Sequence, residues 1–366
     1  MTPEEIARRR MHNLGLVRSR FHSIEDVVGS LVAVQSQDYH PAKWSVASRS
    51  EGVDDAALDR AFAEGRILRT HLLRPTWHFV LPTDIRWLLE LTAPRIHALN
   101  AYMYRQQELD DVTLKRSVEV IADALRGRVQ LTRKEVAAVL EEAGIPLGGF
   151  RLGYILMNAE LERVVCSGAL KGKQHTYASF DERALDARSL DRDEAVAELV
   201  DRYFTSHGPA TVKDFQAWSS LTIADIKRGL EIVGSRLASQ VAGGLTYWFA
   251  ASPPPPEVAS PAVQLVQGYD EYIVGYRESK FLLDIRGVAG PMAGDRPAFN
   301  GVILVDDQVA GAWRRVQRKD SVAIESSLYR PFNRAERAAL RAAADRYASF
   351  LGVSEVFVDG ERKGTR

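Results

Sequence analysis

Cysteine and long apolar runs are almost missing from this 366-residue sequence. A single cysteine, Cys166, excludes an internal disulfide and a thiolate metal cluster, so we expect a cytoplasmic location. No stretch approaches the ~20 apolar residues that cross a membrane. The start of the chain is acidic and then basic, without the apolar centre of a signal peptide. We therefore expect a soluble protein with no membrane partner.

The motifs of common cofactor sites are missing as well. The eight histidines are scattered and form no H-E-x-x-H pair, so we predict no metal site. Neither G-x-x-x-x-G-K-[ST] nor a strand-bounded G-x-G-x-x-G occurs, which argues against a nucleotide cofactor. The protein is expected to work with no cofactor.

Net charge is also missing, since 48 basic residues balance 48 acidic ones. The charge is nevertheless uneven, because residues 8–20 carry +5, residues 163–175 carry +3 and residues 308–319 carry +4, each without an acid. Local basic patches on a neutral protein suit a face that binds DNA phosphates without binding all DNA tightly. For each patch alone, a solvated surface is the alternative.

The apolar pattern predicts a unit of helices followed by a β-hairpin, and this unit recurs along the chain. In the first unit we predict helices and then β-rich runs near residues 3–13, 24–34, 54–65, 67–72 and 76–81. A long helix over about 83–107 follows. Helices followed by a hairpin are typical of the winged helix, a helix-turn-helix variant whose hairpin reaches the DNA backbone.

Capping signals and a basic hairpin mark the second unit. Thr132 and Glu135 fit a capping box that opens a helix. Glycines and lysines at 167–177, flanked by β-branched and aromatic residues, predict the hairpin. Lys171 and Lys173 are two apart on it, so we expect them to face the same way and to bind phosphates. A solvated hairpin tip is the alternative.

In the third unit Thr211 caps a helix over 212–218, and a strand is predicted at 245–249. The prolines at 253–256 form the clearest linker. We expect the mixed α/β tail beyond it to pack back on the third unit. The predicted tail elements are strands at 262–266, 301–305, 309–316 and 354–358 and a helix at 334–351. These signals divide an α+β chain into regions 1–82, 83–112, 113–192, 193–252 and 253–366.

Gln35 and Gln37 form a Q-x-Q pair after an apolar helical run over residues 24–32. Helix neighbours two apart point to nearly opposite sides, so the two amides can converge only if the helix ends there. Pro41 supports such an end, because helices usually stop before the residue that precedes a proline. From spacing alone, a polar helix end with two solvated amides is the simpler interpretation.

Several motifs follow one another in order along nearly the whole chain. They are Val34 to Gln37, Arg69 to His78, Gly172 to Tyr177 and His207 to Ser219, with weaker echoes at Gly268 to Tyr272 and Val305 to Arg315. With them the chain resembles the AlkZ/YcaQ-type winged-helix DNA glycosylases, bacterial enzymes that excise bulky alkylpurines and unhook interstrand crosslinks. The resemblance implies three tandem winged helices in a C-shaped scaffold around a DNA-binding concavity.

The resemblance also implies roles for individual residues. Gln35 and Gln37 would be the catalytic pair, in the Q-x-Q form of the AlkZ branch. The charge of the neighbouring Asp38 makes it, on chemical grounds, a candidate electrostatic helper. The strand spacing, separately, puts His71 and His78 on opposite faces of a hairpin, where structural or hydrogen-bonding roles are favoured and a place near the site is the alternative. The residues expected to contact DNA are Lys171, Lys173, His175, Arg74, Arg314 and Arg315.

Glutamine has no useful proton equilibrium, so the pair cannot act as acid or base. It suits an N7-alkylated purine, which is cationic and leaves as a neutral base. Two held amide oxygens could then position water and favour positive charge on the sugar. The lysine nearest to the pair is Lys43, so no Schiff-base step is predicted. We therefore predict a monofunctional DNA glycosylase.

This enzyme is expected to be a bacterial monomer, associated with the nucleoid when bound to double-stranded DNA that carries alkylated purines or crosslinks. Two alternatives stay open. A non-catalytic winged-helix DNA-binding protein, such as a regulator or damage sensor, would bind DNA without releasing a base. A protein-interaction module would show no salt-dependent DNA affinity.

Overall fold

The computed structural model describes residues 1–17, 21–251, 259–289, 301–317, 321–353 and 355–358. Within them the helices are α1 (Pro3–Asn13), α2 (Ile24–Leu31), α3 (Tyr39–Ala47), α4 (Asp55–Glu64), α5 (Ile85–Gln106), α6 (Asp111–Ala124), α7 (Arg133–Glu142), α8 (Arg151–Leu161), α9 (Phe180–Arg183), α10 (Arg192–Ser206), α11 (Val212–Ser219), α12 (Ile223–Val233), α13 (Glu271–Val274) and α14 (Arg334–Phe350). The strands are β1 (Val34–Gln35), β2 (Leu68–Leu72), β3 (Thr76–Val80), β4 (Gln130–Thr132), β5 (Val165–Ser167), β6 (Thr176–Ser179), β7 (Leu237–Ala242), β8 (Leu245–Ala250), β9 (Val263–Val266), β10 (Gly301–Val305), β11 (Gln308–Gln317), β12 (Ser321–Leu328) and β13 (Glu355–Val358).

The first unit has the element order of a winged helix, with a three-stranded antiparallel sheet in the order β1-β3-β2. Its elements follow in the order α2, β1, α3, α4, β2 and β3. Ser23 caps α2 by accepting from the Asp26 N–H, and Asp54 caps α4 in the same way. Gly65, at φ +78°, ends α4 in the left-handed conformation that glycine adopts without strain.

The second and third units repeat this order. In the second, the order is α6, β4, α7, α8, β5 and β6, and its three strands form a sheet in the order β4-β6-β5. In the third, the first strand is reduced to a single bridge between Ala210 and Trp248, and β7 pairs with β8. Thr132 and Thr211 form the predicted capping boxes of α7 and α11. The α+β fold class is confirmed, and the repeated order is consistent with tandem winged helices.

The C-terminal region carries a five-stranded sheet in the order β13-β12-β11-β10-β9, with a parallel pair only between β12 and β13 among its described strands. Helix α14 packs against β9 and β13. The largest apolar core joins the first unit, the third unit and this region. The second unit has a core of its own and adds Leu161, Cys166, Phe180 and Ala184 to the large one. No helix in the described ranges is long and apolar enough to cross a membrane.

The first unit differs from its predicted pattern in two elements. Helix α2 ends at Leu31, because Val32 takes a positive φ of 70° that a helix cannot continue. Strand β1 and helix α3 then lie between the two predicted helices. Pro41 is in the first turn of α3, where a missing N–H breaks no intrahelical bond, so it does not mark a helix end.

The prediction that the tail packs on the third unit is incomplete, because the tail also packs on the first. The Trp44 indole N–H donates to the Leu265 carbonyl at 2.5 Å, and its ring lies edge-on to Tyr347 at 5.0 Å. On the other side, the Ser279 N–H donates to Asp214 of α11 at 3.0 Å. The predicted linker at 253–256, and Arg18, Arg20, Arg318 and Lys319 of the basic patches, lie outside the described residues.

Candidate active site

Gln35 is fixed by both its backbone and its side chain. It ends β1 opposite His78 of β3 and is 6% exposed. Its amide oxygen accepts a hydrogen bond from Arg74 Nη2 at 3.0 Å. Its backbone N–H donates to Glu271 Oε1 at 2.9 Å. Arg74 therefore holds the side chain of Gln35, and Glu271 holds its backbone.

Gln37 completes the sheet where β1 ends. The Ser36 N–H donates to the Trp77 carbonyl at 2.7 Å, and an ordinary antiparallel pair would return a bond from the Trp77 N–H to the Ser36 carbonyl. Here the Ser36 carbonyl accepts instead from Arg69, from Nε at 3.1 Å and from Nη2 at 2.9 Å. The Trp77 N–H donates instead to Gln37 Oε1 at 3.3 Å. The Gln37 side chain thus stands in for the last backbone acceptor of the strand.

Both amide oxygens of the pair are held by the same short segment, which runs from Arg74 to Trp77. An amide oxygen has two lone pairs, and each of these hydrogen bonds uses one of them. The second lone pair of each oxygen can accept a hydrogen bond from a water molecule. Since Gln35 is buried and Gln37 is exposed, the pair spans the border between core and solvent.

Asp38 follows the pair at the N-cap position of α3 and is exposed. It borders a cavity of about 180 Å³ between the first unit and the C-terminal sheet. Other side chains lining this cavity are Trp44, Tyr269, Trp313, Arg314, Arg315 and Tyr347. The structure therefore brings Arg314 and Arg315 to the same side as Asp38. Both arginines are exposed, Arg314 paired with Glu325 and Arg315 donating to the Tyr347 hydroxyl at 3.4 Å.

A buried carboxylate that the sequence did not single out lies behind Gln35. Glu271 is fully buried, and its Oε2 accepts from Trp218 Nε1 at 2.8 Å and lies 3.3 Å from His207 Nε2. Burial acts to raise the pKa of Glu271, but the contact with His207 and the Gln35 N–H outweigh it and lower the pKa to about 2. This carboxylate is therefore ionised at every ordinary pH.

The two histidines of the hairpin face opposite sides, as predicted. His78 is fully buried beside Gln35, and burial, followed by the charge of Arg74, lowers its pKa to about 3. It is therefore a neutral imidazole. His71 is opposite Trp77, with ring centres 4.0 Å apart, and its Nδ1 lies 2.6 Å from the buried carboxylate of Glu160.

Acid is expected to destabilise the protein through His78. Its pKa is lowered from the ordinary 6.5 to about 3 in the folded state, so below pH 6.5 the unfolded chain binds a proton that the folded chain does not. The contribution of His78 to the free energy of unfolding is complete above pH 6.5. It decreases as the pH is lowered below 6.5, by up to about 1.4 kcal/mol per pH unit. Urea unfolding at a series of pH values from 7 to 4 measures this slope. In His78→Asn the slope should be shallower, and an unchanged slope would contradict the assignment.

The prediction that Lys171 and Lys173 face the same way assumed that both lie on a strand, and this is wrong. Lys171 exchanges backbone hydrogen bonds with Gln174 at 2.9 and 3.2 Å, so Gly172 and Lys173 form a two-residue turn. Gly172 has a φ of +64°, which such a turn requires. Both lysines are exposed, but Lys171 Nζ is paired with Glu135 Oε1 at 2.6 Å, whereas Lys173 lies in the turn at the tip.

His175 packs between the first and second units. Its ring is edge-on to Tyr39 at 4.8 Å and to Phe62 at 6.1 Å. Burial, followed by the charges of Arg69 and His40, lowers its pKa to about 4. A half-buried neutral imidazole suits packing between units better than a phosphate contact. Arg74, in contrast, is partly buried next to Gln35, within reach of whatever the pair binds.

The donor chemistry of the described residues does not suggest a metal, since they contain no cluster of three His, Cys, Asp or Glu side chains that could hold one. Glu271, Arg69 and Trp77 lie within the sequence motifs described above, but no sequence signal assigns them to the site. Their contacts with residues 35–37 join segments up to 236 residues apart, which spacing cannot reveal.

A sequence profile of the family described as "DNA glycosylase AlkZ-like" matches residues 28–350, which is most of the chain and includes every residue of this site. The chain belongs to the AlkZ-like family. A curated AlkZ-like relative, the "Interstrand DNA cross-link repair glycosylase" of Streptomyces sahachiroi, is 26% identical over 314 residues, covering 81% of this chain and 83% of the relative. The solved structure of Streptomyces sahachiroi DNA glycosylase AlkZ has the same fold, with a TM-score of 0.80, 22% identity and coverage of 98% and 99% of the two chains.

The AlkZ-like assignment confirms the predicted family and its enzyme class, a DNA glycosylase. It makes DNA the substrate at the level of the family.

Proposed function

We propose that this AlkZ-like protein hydrolyses the N-glycosidic bond of cationic N7-alkylated purines in double-stranded DNA. The observation that carries the proposal is the amide pair, Gln35 and Gln37, held through its oxygens by one hairpin segment. The name of the Streptomyces relative supports interstrand crosslinks, and with them bulky adducts, among the substrates.

The chemistry follows from the charge of the substrate. An N7-alkylated purine already carries a positive charge, so the base leaves as a neutral molecule when the bond to the sugar breaks. No acid is needed, which fits the neutral imidazole of His78 opposite Gln35. The remaining lone pairs of Gln35 and Gln37 hold the attacking water and point negative dipole ends at the sugar as its positive charge develops. The water's oxygen bonds to the sugar carbon that the base leaves, and the proton it loses passes to solvent water at the exposed edge of Gln37.

The charges around the pair balance one another. The guanidinium of Arg74, 3.0 Å from Gln35 Oε1, would by itself oppose positive charge on the sugar. The ionised carboxylate of Glu271, bound to the Gln35 N–H on the other side, offsets that effect. Arg74 is then suited to binding a phosphate of the damaged strand, together with the exposed Arg314, Arg315 and Lys173.

Exposure of the pair suits large lesions. Small glycosylases flip the damaged base into a closed pocket, which a crosslinked base cannot enter. Gln37 and Asp38 are instead exposed, so a lesion can reach them while it stays attached to the opposite strand. Asp38 adds negative charge at the same edge. A single chain supplies both amides, so a monomer suffices.

The reaction ends at base release. Lys43 is the lysine nearest to the pair in sequence; its side chain is 1% exposed, and its ammonium is bound to Asp55 at 2.8 Å and Asp59 at 2.9 Å. A buried, paired ammonium cannot attack the sugar as a free amine. The product is therefore an abasic site in an uncut strand.

The test uses labelled duplexes with one N7-methylguanine or one N7-linked interstrand crosslink. The purified protein should produce abasic sites, seen as strand breaks after alkali treatment and as intact strands without it. An undamaged duplex is the control, and its binding should weaken steeply with salt. Salt-dependent binding without base release would favour a non-catalytic DNA-binding protein and contradict the proposal.

A further inference from the structure

We propose that Glu271 is a positioning residue for base release, which fixes the Gln35 peptide from behind and links it to the third winged helix. This inference rests on the proposed function. It assigns a role to a carboxylate from the C-terminal region that has no solvent-exposed surface.

Both oxygens of Glu271 are engaged, and they face different units. Oε1 accepts the Gln35 N–H at 2.9 Å, on the last residue of β1. Oε2 accepts the Trp218 indole N–H at 2.8 Å, from α11 of the third unit, and lies 3.3 Å from His207 Nε2. Asp270 caps the short helix that begins with Glu271 by accepting the Tyr272 N–H at 3.0 Å, so the carboxylate starts from a fixed backbone.

The position of Gln35 needs such a partner because its strand is only two residues long. Beyond it, the Ser36 carbonyl is taken by Arg69 and the Trp77 N–H by Gln37, so the ladder of β1 ends there. The bond from the Gln35 N–H to Glu271 is on the edge of β1 away from β3. Loss of this bond would let the Gln35 peptide rotate and would displace the amide that Arg74 orients.

A glutamine could not do the same work. A carboxylate has two acceptor oxygens, whereas a glutamine side chain has one, and its NH₂ group would meet either the Gln35 N–H or the Trp218 N–H donor to donor. The substitution also removes the negative charge that offsets Arg74. The size of the side chain is unchanged, so the packing around it is retained.

The experiment compares Glu271→Gln with Asp84→Asn. Asp84 is a matched control, since it is also buried, accepts a tryptophan indole N–H, from Trp87 at 3.1 Å, and binds the third unit through Arg202 at 2.8 Å. It contacts neither glutamine. Glu271→Gln should lower the single-turnover rate of N7-methylguanine release on the order of 100-fold, the effect of a misplacement of about 1 Å. DNA affinity should stay within about threefold, and Asp84→Asn should keep the wild-type rate.

A second readout does not depend on catalysis. Hydrogen exchange of a peptide covering residues 33–38 should be faster in Glu271→Gln, because the Gln35 N–H loses its acceptor, and unchanged in Asp84→Asn. A wild-type rate and wild-type exchange in Glu271→Gln would overturn the inference, as would an equal loss of rate in both variants. If the wild-type protein releases no base, the proposed function fails, and the exchange experiment still tests the link.

Discussion

Replacing Gln37 with alanine is expected to slow release of N7-methylguanine by on the order of 100- to 1000-fold, the effect of removing one preorganised dipole from a reacting centre. Gln37 is exposed, and its one hydrogen bond in the sheet, to the Trp77 N–H at 3.3 Å, is at the rim where water can replace it. Folding and DNA affinity should therefore survive. Single-turnover rates at saturating enzyme, with a melting curve for each variant, measure the effect.

The exposed Gln106 at the end of α5 gives a matched control, and Gln106→Ala should release base at the wild-type rate. Gln35→Ala should be as slow as Gln37→Ala, but it should also be less stable, because Gln35 is buried and binds Arg74. The double variant should be little slower than either single one, since the two amides act on one water molecule. Release at the wild-type rate by the double variant would exclude the amide mechanism.

Asp270→Asn is expected to destabilise the protein by about 3–5 kcal/mol, the cost of removing one partner from a buried ion pair. The guanidinium of Arg49 binds both oxygens of Asp270, at 2.7 and 2.8 Å, and the two side chains are 0% and 1% exposed. This pair connects the end of α3 to the segment before Glu271. The asparagine would remove the charge that balances the buried guanidinium, at nearly constant volume.

Denaturant unfolding at constant pH measures the change in the free energy of unfolding. The surface pair Arg341 and Asp345 on α14 supplies the comparison, with Asp345 54% exposed. Asp345→Asn should leave the unfolding midpoint nearly unchanged, because exposed pairs on a helix contribute little. Equal stability of Asp270→Asn and the wild-type protein would show that the ion pair contributes no net stability.

Much of the repeated architecture could be predicted from local signals. Capping boxes at Thr132 and Thr211 and the glycine-rich turn after Lys171 depend on side chains within a few residues of one another. Such short-range chemistry is visible in a sequence. The five strands of the C-terminal sheet were harder, and β12 was missed, because its partners are set by tertiary contacts.

The surroundings of Gln35 and Gln37 show what a sequence cannot supply. A strand of two residues has no measurable periodicity, and the positive φ of Val32 that ends α2 is not typical of a β-branched residue. The repeat could have predicted β1, however. In the second and third units, β4 and the bridge residue Ala210 each come directly before a capped helix, and β1 comes before α3 in the same way. The acceptor behind Gln35 could not be found in this way, because it is 236 residues further along the chain.

The C-terminal region limits how far this protein can be divided. Its apolar residues share one core with the first and third units, and it supplies Asp270 and Glu271 to α3 and β1. A shortened chain that ends after β8 would keep all three hairpins and yet lose the acceptor of the Gln35 N–H. The three units thus repeat one topology, but they do not function as independent modules. Domain swaps between relatives should succeed only when the C-terminal region is exchanged together with the first unit.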